Sequence, residues 1–389
     1  MKKRICLLFL AFSINFYSQV TKEQDQQEQV QEAKYCDEKL GYSELLKRNR
    51  ETIFFMIQRA WLANQSLSYL GLLPKNTPLG ERRIPLRQRE GEYGNGFSLF
   101  EAKFALELPL FLGKAAYGSA REKLQQVTFD YETNFRMTLD CSFPLTTPNQ
   151  DFGFSWKINL FNSVSNSICK LNKKCFLDPE FRVTELTEDV HFYNLKLSAR
   201  HYSNGQSGSS TYEDTATGER RNNYIDGNFS TNYISIALTK GIYKMPTKTL
   251  HQWSLKYRMD GGVGGALSFD RDQENAYGKN RIGLMYDYRS GLKQNGMHKN
   301  FYYHVRSEFE YIMGNLDNFN ANLVNDTKKY RLSASLIGEV SPLSQRHISF
   351  FAKMYYGRDY LNIRYDDIIF TSMVGIRFDI QKYFVPKIY

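Results

Sequence analysis

A histidine and a serine two positions apart occur in the stretch RHYSNGQSG, residues 200–208. A serine hydroxyl becomes a nucleophile when an imidazole accepts its proton and a third side chain orients that imidazole. Side chains in a strand alternate between two faces, so His201 and Ser203 would share one face. The alternative is that both are only the polar residues with which an apolar strand face ends. The pair therefore needs a third group before it indicates chemistry.

The side chain that could orient the imidazole depends on which residues lie opposite His201 and Ser203 on the next strand. The strand-like stretch that ends in Ser203 alternates between apolar and polar residues, and Ser203 and His201 share the apolar parity. The next such stretch begins at Ser230, and its apolar parity includes Asn232. If Ser203 pairs with Ser230, His201 pairs with Asn232, and the Cβ atoms of opposite residues lie about 5 Å apart. The pattern predicts one cluster of His201, Ser203 and Asn232 on an apolar face.

The beginning of the chain indicates export. Three basic residues, Lys2–Arg4, precede the short apolar run Ile5–Phe12, and the small residue Ser18 follows. This order is typical of a secretory signal peptide, and the run is too short to span a bilayer as a helix. Residues 1–18 are therefore predicted to be removed. Their loss would lower the formal net charge from +10 to about +7.

The composition of the remaining chain favours a membrane β-barrel. Mean hydropathy is −0.52, yet the chain contains 27 Tyr and 28 Phe. Transmembrane barrels expose apolar residues only at alternate positions, and their aromatic residues gather at the two membrane interfaces. A soluble secreted β protein remains the alternative. The predicted fold class is all-β, a transmembrane antiparallel β-barrel with a polar N-terminal extension.

The two-residue period sets the expected domain boundaries. Residues 19–96 are polar and are expected to form a periplasmic extension or linker, although 52–71 fits either a helix or a first strand. Residues 97–380 carry about eleven strand-like segments, followed by a tail at 381–389. Because bacterial barrels have even strand numbers, about twelve strands are predicted.

Three segments resemble one known family. The motif RHYSNGQSG followed by STNYISIAL, the early segment EAKFALELPLFL and the ending YYGRDYLNIRYDDIIFTSMVGIRF resemble outer-membrane phospholipase A. The resemblance covers roughly residues 97–378. It implies a twelve-stranded barrel that hydrolyses phospholipid acyl esters with a Ser–His–Asn triad and calcium. Residue by residue, it implies Ser203 as nucleophile, His201 as base and Asn232 as the residue that orients the base.

The resemblance also implies where calcium would bind. The family's residue after Asn-Gly, usually Arg, is Gln206 here, and the change matters little if calcium uses its backbone carbonyl. The Ser or similar ligand expected four residues before the triad Asn is Asn228, which is also an oxygen donor. The intervening loop contains three more oxygen donors of the kind that calcium prefers, which are alternatively only solvated charges. They are Glu213, Asp214 and Glu219.

A second family carries the same His-x-Ser-Asn-Gly motif. Outer-membrane lipid A deacylases complete the triad with a Glu on the next strand, whereas residues 229–240 contain no acidic residue. The phospholipase is therefore the favoured interpretation. Two alternatives stay open: a lipid A deacylase, and a barrel that keeps the motif but serves as a structural protein or a pore.

The expected surroundings follow from these interpretations. The site of action is the outer membrane of a Gram-negative bacterium, with membrane phospholipids as substrate and lipopolysaccharide at the outer surface. The phospholipase resemblance suggests a homodimer. Nothing indicates nucleic-acid binding, because no basic patch is interleaved with aromatic residues. Export permits disulfides among the cysteines of the mature chain, and Cys169 and Cys175 flank a short loop. The other two are Cys36 and Cys141.

Overall fold

The structure is a computed structural model of a β protein. Its barrel strands are 11 to 18 residues long, and each pairs with a neighbour on both sides. No helix in the described part is long and apolar enough to cross a membrane. The residues described are 68–78, 98–115, 123–138, 148–163, 189–213, 215, 218, 220–222, 227–244, 247, 249–261, 277–290, 301–314, 316, 331–342, 348–362 and 368–378.

Fourteen strands occur in this part of the chain, and twelve of them have at least 11 residues. The other two, β6 and β7, form a separate hairpin in the loop between β5 and β8. In chain order the strands are β1 Ser68–Pro78, β2 Ser98–Ala115, β3 Lys123–Thr138, β4 Asn149–Asn162, β5 Val190–Ser203, β6 Thr211–Glu213, β7 Arg220–Asn222, β8 Ser230–Lys244, β9 Thr249–Asp260, β10 Asn280–Ser290, β11 Phe301–Met313, β12 Leu332–Pro342, β13 Ile348–Arg358 and β14 Ile368–Phe378.

The twelve long strands close into one antiparallel barrel, which confirms the predicted fold class and strand number. Closure is made by β1, which pairs with β14 on one side and with β2 on the other. This strand spans Ser68–Pro78, so it begins inside the segment 52–71 that fitted either a helix or a strand. The barrel therefore starts before the expected boundary at residue 97. The signal peptide, the tail and all four mature cysteines lie outside the described residues.

The two faces of the barrel differ as a membrane requires. Outward side chains are apolar and strongly exposed, for example Ile234 at 60% and Phe350 at 57%. Inward side chains are charged and buried, for example Glu101 at 0%. A strand of about 9–11 tilted residues spans a bilayer, and every barrel strand reaches 11. The chain is therefore a transmembrane barrel of the outer-membrane type, with its apolar band turned towards lipid.

Ion pairs between strands occupy the barrel interior. Asp287 is fully buried and accepts hydrogen bonds from Arg289, Arg306 and His304 at 2.7–2.9 Å. Glu101 accepts from Arg136 at 2.9 Å. These contacts satisfy charges that face inward, and the remaining cavity of about 540 Å³ is lined by residues of both signs.

Candidate functional site

The predicted cluster lies at the ends of two neighbouring strands. Strands β5 and β8 pair in the register expected from their parities, with His201 opposite Asn232 and Ser203 opposite Ser230. The Nδ1 atom of His201 lies 2.9 Å from Oδ1 of Asn232. An amide oxygen only accepts hydrogen bonds, so Nδ1 carries the proton and Nε2 carries the lone pair. His201 is thus held in the tautomer that a general base requires.

The cluster faces the lipid side of the barrel. Phe152 of β4 pairs with His201 from the other side, and the two rings lie 5.2 Å apart. Phe154 and Ile234, two residues along these strands, are exposed to 56% and 60%. A lipid acyl chain that lies on this apolar surface would bring its ester to the polar cluster at the strand end.

The environment of Ser203 includes a donor that the sequence did not reveal. The backbone N–H of Gly205 donates to Oγ of Ser203 at 3.2 Å. Gly205 has a φ of 73°, a backbone conformation that residues other than glycine rarely adopt. The Asn-Gly pair was the available signal, because it is typical of a turn with positive φ. The turn aims an N–H group at the atom expected to attack an ester.

The histidine does not bond to Ser203 in this structure. Among the described residues, Nε2 of His201 instead lies 3.5 Å from Oγ of Ser230. In the sequence, Ser230 is marked only by its place opposite Ser203 in the predicted register. Its hydroxyl is a further polar group of the site.

One buried side chain holds the loop that follows Ser203. Asn204 is 1% exposed. Its amide nitrogen donates to the carbonyl oxygen of Gly227 at 2.9 Å, and its amide oxygen accepts from the backbone N–H of Phe229 at 3.0 Å. These bonds join the beginning of the loop to its end. They fix the backbone directly after Ser203 and directly before Ser230.

Both expected calcium ligands lie on the joined loop ends. The side-chain oxygen of Gln206 accepts from Asn204 at 3.1 Å, and the backbone N–H of Asn228 donates to Gly208 at 3.0 Å. Their amide and carbonyl oxygens are of the type that binds calcium, but they are neutral. Among the described residues no group of three or more His, Cys, Asp or Glu could hold a metal. Glu213 is exposed in β6, and Asp214 and Glu219 lie outside the described residues.

The inner side of the site is tied to a distant loop. Tyr202, between the two predicted catalytic residues, points inward and donates to the carbonyl oxygen of Leu361 at 2.6 Å. In the same loop, Tyr360 donates to Glu101 at 2.6 Å. Burial, together with the charge of Glu101, raises the pKa of Tyr360, so its hydroxyl stays protonated. Residues 360 and 361 therefore contact the inner side of β2 and of the end of β5.

No protein-family model matches the chain, and no curated protein matches it. Among solved structures, outer membrane phospholipase A from Escherichia coli is 12% identical, with 81% of this chain and 90% of that chain covered and a TM-score of 0.44. A Salmonella typhi outer membrane phospholipase dimer with bound calcium is 13% identical, with the same coverages and a TM-score of 0.45.

A structure named NanC porin is 9% identical, with 81% of this chain and 100% of that chain covered and a TM-score of 0.33. With such low identities and TM-scores below 0.5, these likenesses carry no argument about activity. The fold assignment rests on the strand pairing, and a proposal about activity has to rest on the residues of the site.

Proposed function

We propose that this chain is an outer-membrane phospholipase that hydrolyses acyl esters of glycerophospholipids in the outer leaflet. The observation that carries the proposal is the 2.9 Å contact between His201 Nδ1 and Asn232 Oδ1 on the lipid-facing wall, with Ser203 on the same face. Polar groups that face lipid are costly and are generally functional. An imidazole that is oriented by an amide, beside two hydroxyls, is an arrangement suited to acyl transfer.

The reaction would proceed through an acyl-enzyme. Ser203 Oγ attacks the ester carbonyl while His201 Nε2 accepts its proton, and the same proton then leaves with the alcohol product. Water then attacks the acyl-enzyme with His201 as base, the bond between the acyl carbon and Ser203 Oγ breaks, and His201 returns the proton to Oγ as the fatty acid leaves. Asn232 orients the ring throughout and stabilises the imidazolium that forms. The Gly205 N–H lies beside Ser203 Oγ and would stabilise the oxyanion, a role worth about 2.7–4 kcal/mol in a comparable enzyme.

Calcium belongs to the proposal by family resemblance. Gln206 and Asn228 would hold it through neutral oxygens, completed by water or lipid phosphate. When bound, it would supply positive charge near the developing oxyanion. The lack of a carboxylate ligand among the described residues predicts weak binding, because calcium affinity rises with ligand charge.

The interior favours catalysis over a pore. Lys103 pairs with Glu132 at 2.7 Å, and Arg200 pairs with Glu132 and Asp151 at 3.2 and 2.9 Å. Such pairs join the neighbouring strands β2–β5 along the inner surface of a barrel that has fewer strands than barrels with open aqueous channels. Conductance in planar bilayers would instead support the pore. A lipid A deacylase would require an acidic third group, and the residue opposite His201 is Asn232.

The deciding experiment is fatty-acid release from mixed phospholipid micelles by the refolded protein. Wild type is expected to release fatty acid, and Ser203→Ala is expected to reduce release to background. Ser372→Ala, on the outward face of β14, serves as the matched control. Each protein is measured with calcium and with a chelator, and heat-modifiable gel migration verifies folding. A fully active Ser203→Ala protein, or a folded but inactive wild type, would refute the proposal. Lipid A would then be the next substrate tested.

A further inference from the structure

The base and the candidate oxyanion donor lie beside different serines. Nε2 of His201 is 3.5 Å from Oγ of Ser230. The N–H of Gly205 points instead at Oγ of Ser203, at 3.2 Å. An acyl-transfer site needs base and oxyanion donor around one nucleophile. In this structure the base lies beside Ser230 and the oxyanion donor lies beside Ser203, and these two serines are opposite each other in the β5–β8 pair.

We propose that Ser230 is a positioning residue that holds the base of this site in its resting state. Its hydroxyl donates to Nε2 of His201, and the ring turns to Ser203 when an ester occupies the site. The inference rests on the proposed function, and it adds a residue to which neither the sequence analysis nor the family resemblance assigned a role.

The lipid-facing position explains why such a partner would be needed. The lone pair of Nε2 lies on the outward wall of the barrel, and a polar atom left without a partner where lipid covers that wall is costly. Nδ1 is already held by Asn232, so the ring can turn about that contact without losing it. Ser203 follows His201 by two residues on the same strand, and Ser230 lies diagonally opposite, so both hydroxyls are within reach of one imidazole.

The surroundings of Ser230 argue against its being the nucleophile. In the described part of the chain, no backbone N–H donates to Ser230 Oγ, whereas Ser203 Oγ has the Gly205 amide. Attack by Ser230 would leave its oxyanion without that donor. The geometry therefore gives Ser203 the attacking role and Ser230 the role of a resting partner.

Covalent labelling tests this division. Wild type, Ser230→Ala, Ser230→Thr and Ser203→Ala are treated with a fluorophosphonate in detergent micelles, with Ser372→Ala as control. Label is expected on Ser203 by peptide mass spectrometry. Removing a neutral hydrogen bond from the resting state should raise the labelling rate by about two- to twelvefold in Ser230→Ala. Ser230→Thr, which keeps the hydroxyl, should restore the wild-type rate.

Two labelling results would overturn the inference. Label on Ser230 would make that residue the nucleophile. A Ser230→Ala rate equal to or below that of wild type, in a folded barrel, would show that Ser230 does not hold the base.

A spectroscopic readout separates this inference from the proposed function. In protein with ¹⁵N-labelled histidine, the Nε2 signal of His201, assigned through His201→Gln, should shift in Ser230→Ala but not in Ser372→Ala. This shift does not require hydrolysis. An unchanged signal would refute the contact. A shifted signal in a protein that neither hydrolyses lipid nor accepts label would preserve the contact and refute the phospholipase.

Discussion

The contact between Asn232 and His201 allows a quantitative prediction. Asn232→Ala removes the acceptor that lies 2.9 Å from Nδ1. In the transition state the ring is an imidazolium, so the lost bond involves a charged donor and is worth about 1.5–3 kcal/mol. At about 1.4 kcal/mol per tenfold, kcat should fall by about 10- to 150-fold. KM should change little, because the neutral ring of the resting enzyme loses less.

The assay is fatty-acid release at saturating lipid, with kcat and KM determined separately. Asn232→Asp keeps an oxygen acceptor and should retain more activity than Asn232→Ala. Lys240→Ala, an exposed outward position near the other end of β8, is the matched control and should match wild type. If folded Asn232→Ala stays within twofold of wild type while Ser203→Ala is inactive, the orienting role of Asn232 is refuted, and the 2.9 Å contact is only a structural bond.

Two further predictions concern the neighbourhood of Ser203 and the interior of the barrel. Gly205→Ala forces a side chain into a φ of 73°, and the displaced N–H should lower kcat by about 100- to 1,000-fold with little change in barrel stability. A Gly205→Ala protein with the kcat of wild type would show that the Gly205 N–H does not stabilise the oxyanion. Asp287→Asn leaves buried arginines without their carboxylate, so the free energy of unfolding in urea should fall by about 3–5 kcal/mol. Unchanged urea stability would mean that water replaces the ion pairs.

Much of the lipid-facing wall follows from sequence because its signal is local. The alternation that ends in His201 and Ser203 indicates which face they share. The alternation from Ser230 onward indicates the face of Asn232, and a hairpin between the two leaves few registers. The structure has the register that these parities predict. The outward position of the site is likewise a consequence of the two-residue period.

The first strand of the barrel has a weaker sequence signal than the strands of the site. β1 carries a glycine at 71 and ends in a Pro-containing segment, so its alternation is short. It is a strand because β14 and β2 supply partners on both sides. The barrel closes only through this strand, and its partner β14 is at the other end of the barrel sequence. The residues of β1 alone therefore do not indicate the pairing.

The sequence by itself determined the fold class and the strand parity, because both follow from the two-residue period and the composition. It placed His201 opposite Asn232 only on condition that Ser203 pairs with Ser230, and the strand pairing meets that condition. Tertiary structure alone decided which hydroxyl the imidazole faces, that the Gly205 amide points at Ser203, and that Leu361 accepts a hydrogen bond from Tyr202. Side-chain rotation and contacts between residues distant in sequence leave no period in the chain. The contact between Tyr202 and Leu361 also needs closure of the barrel, because the two residues are 159 positions apart in the chain.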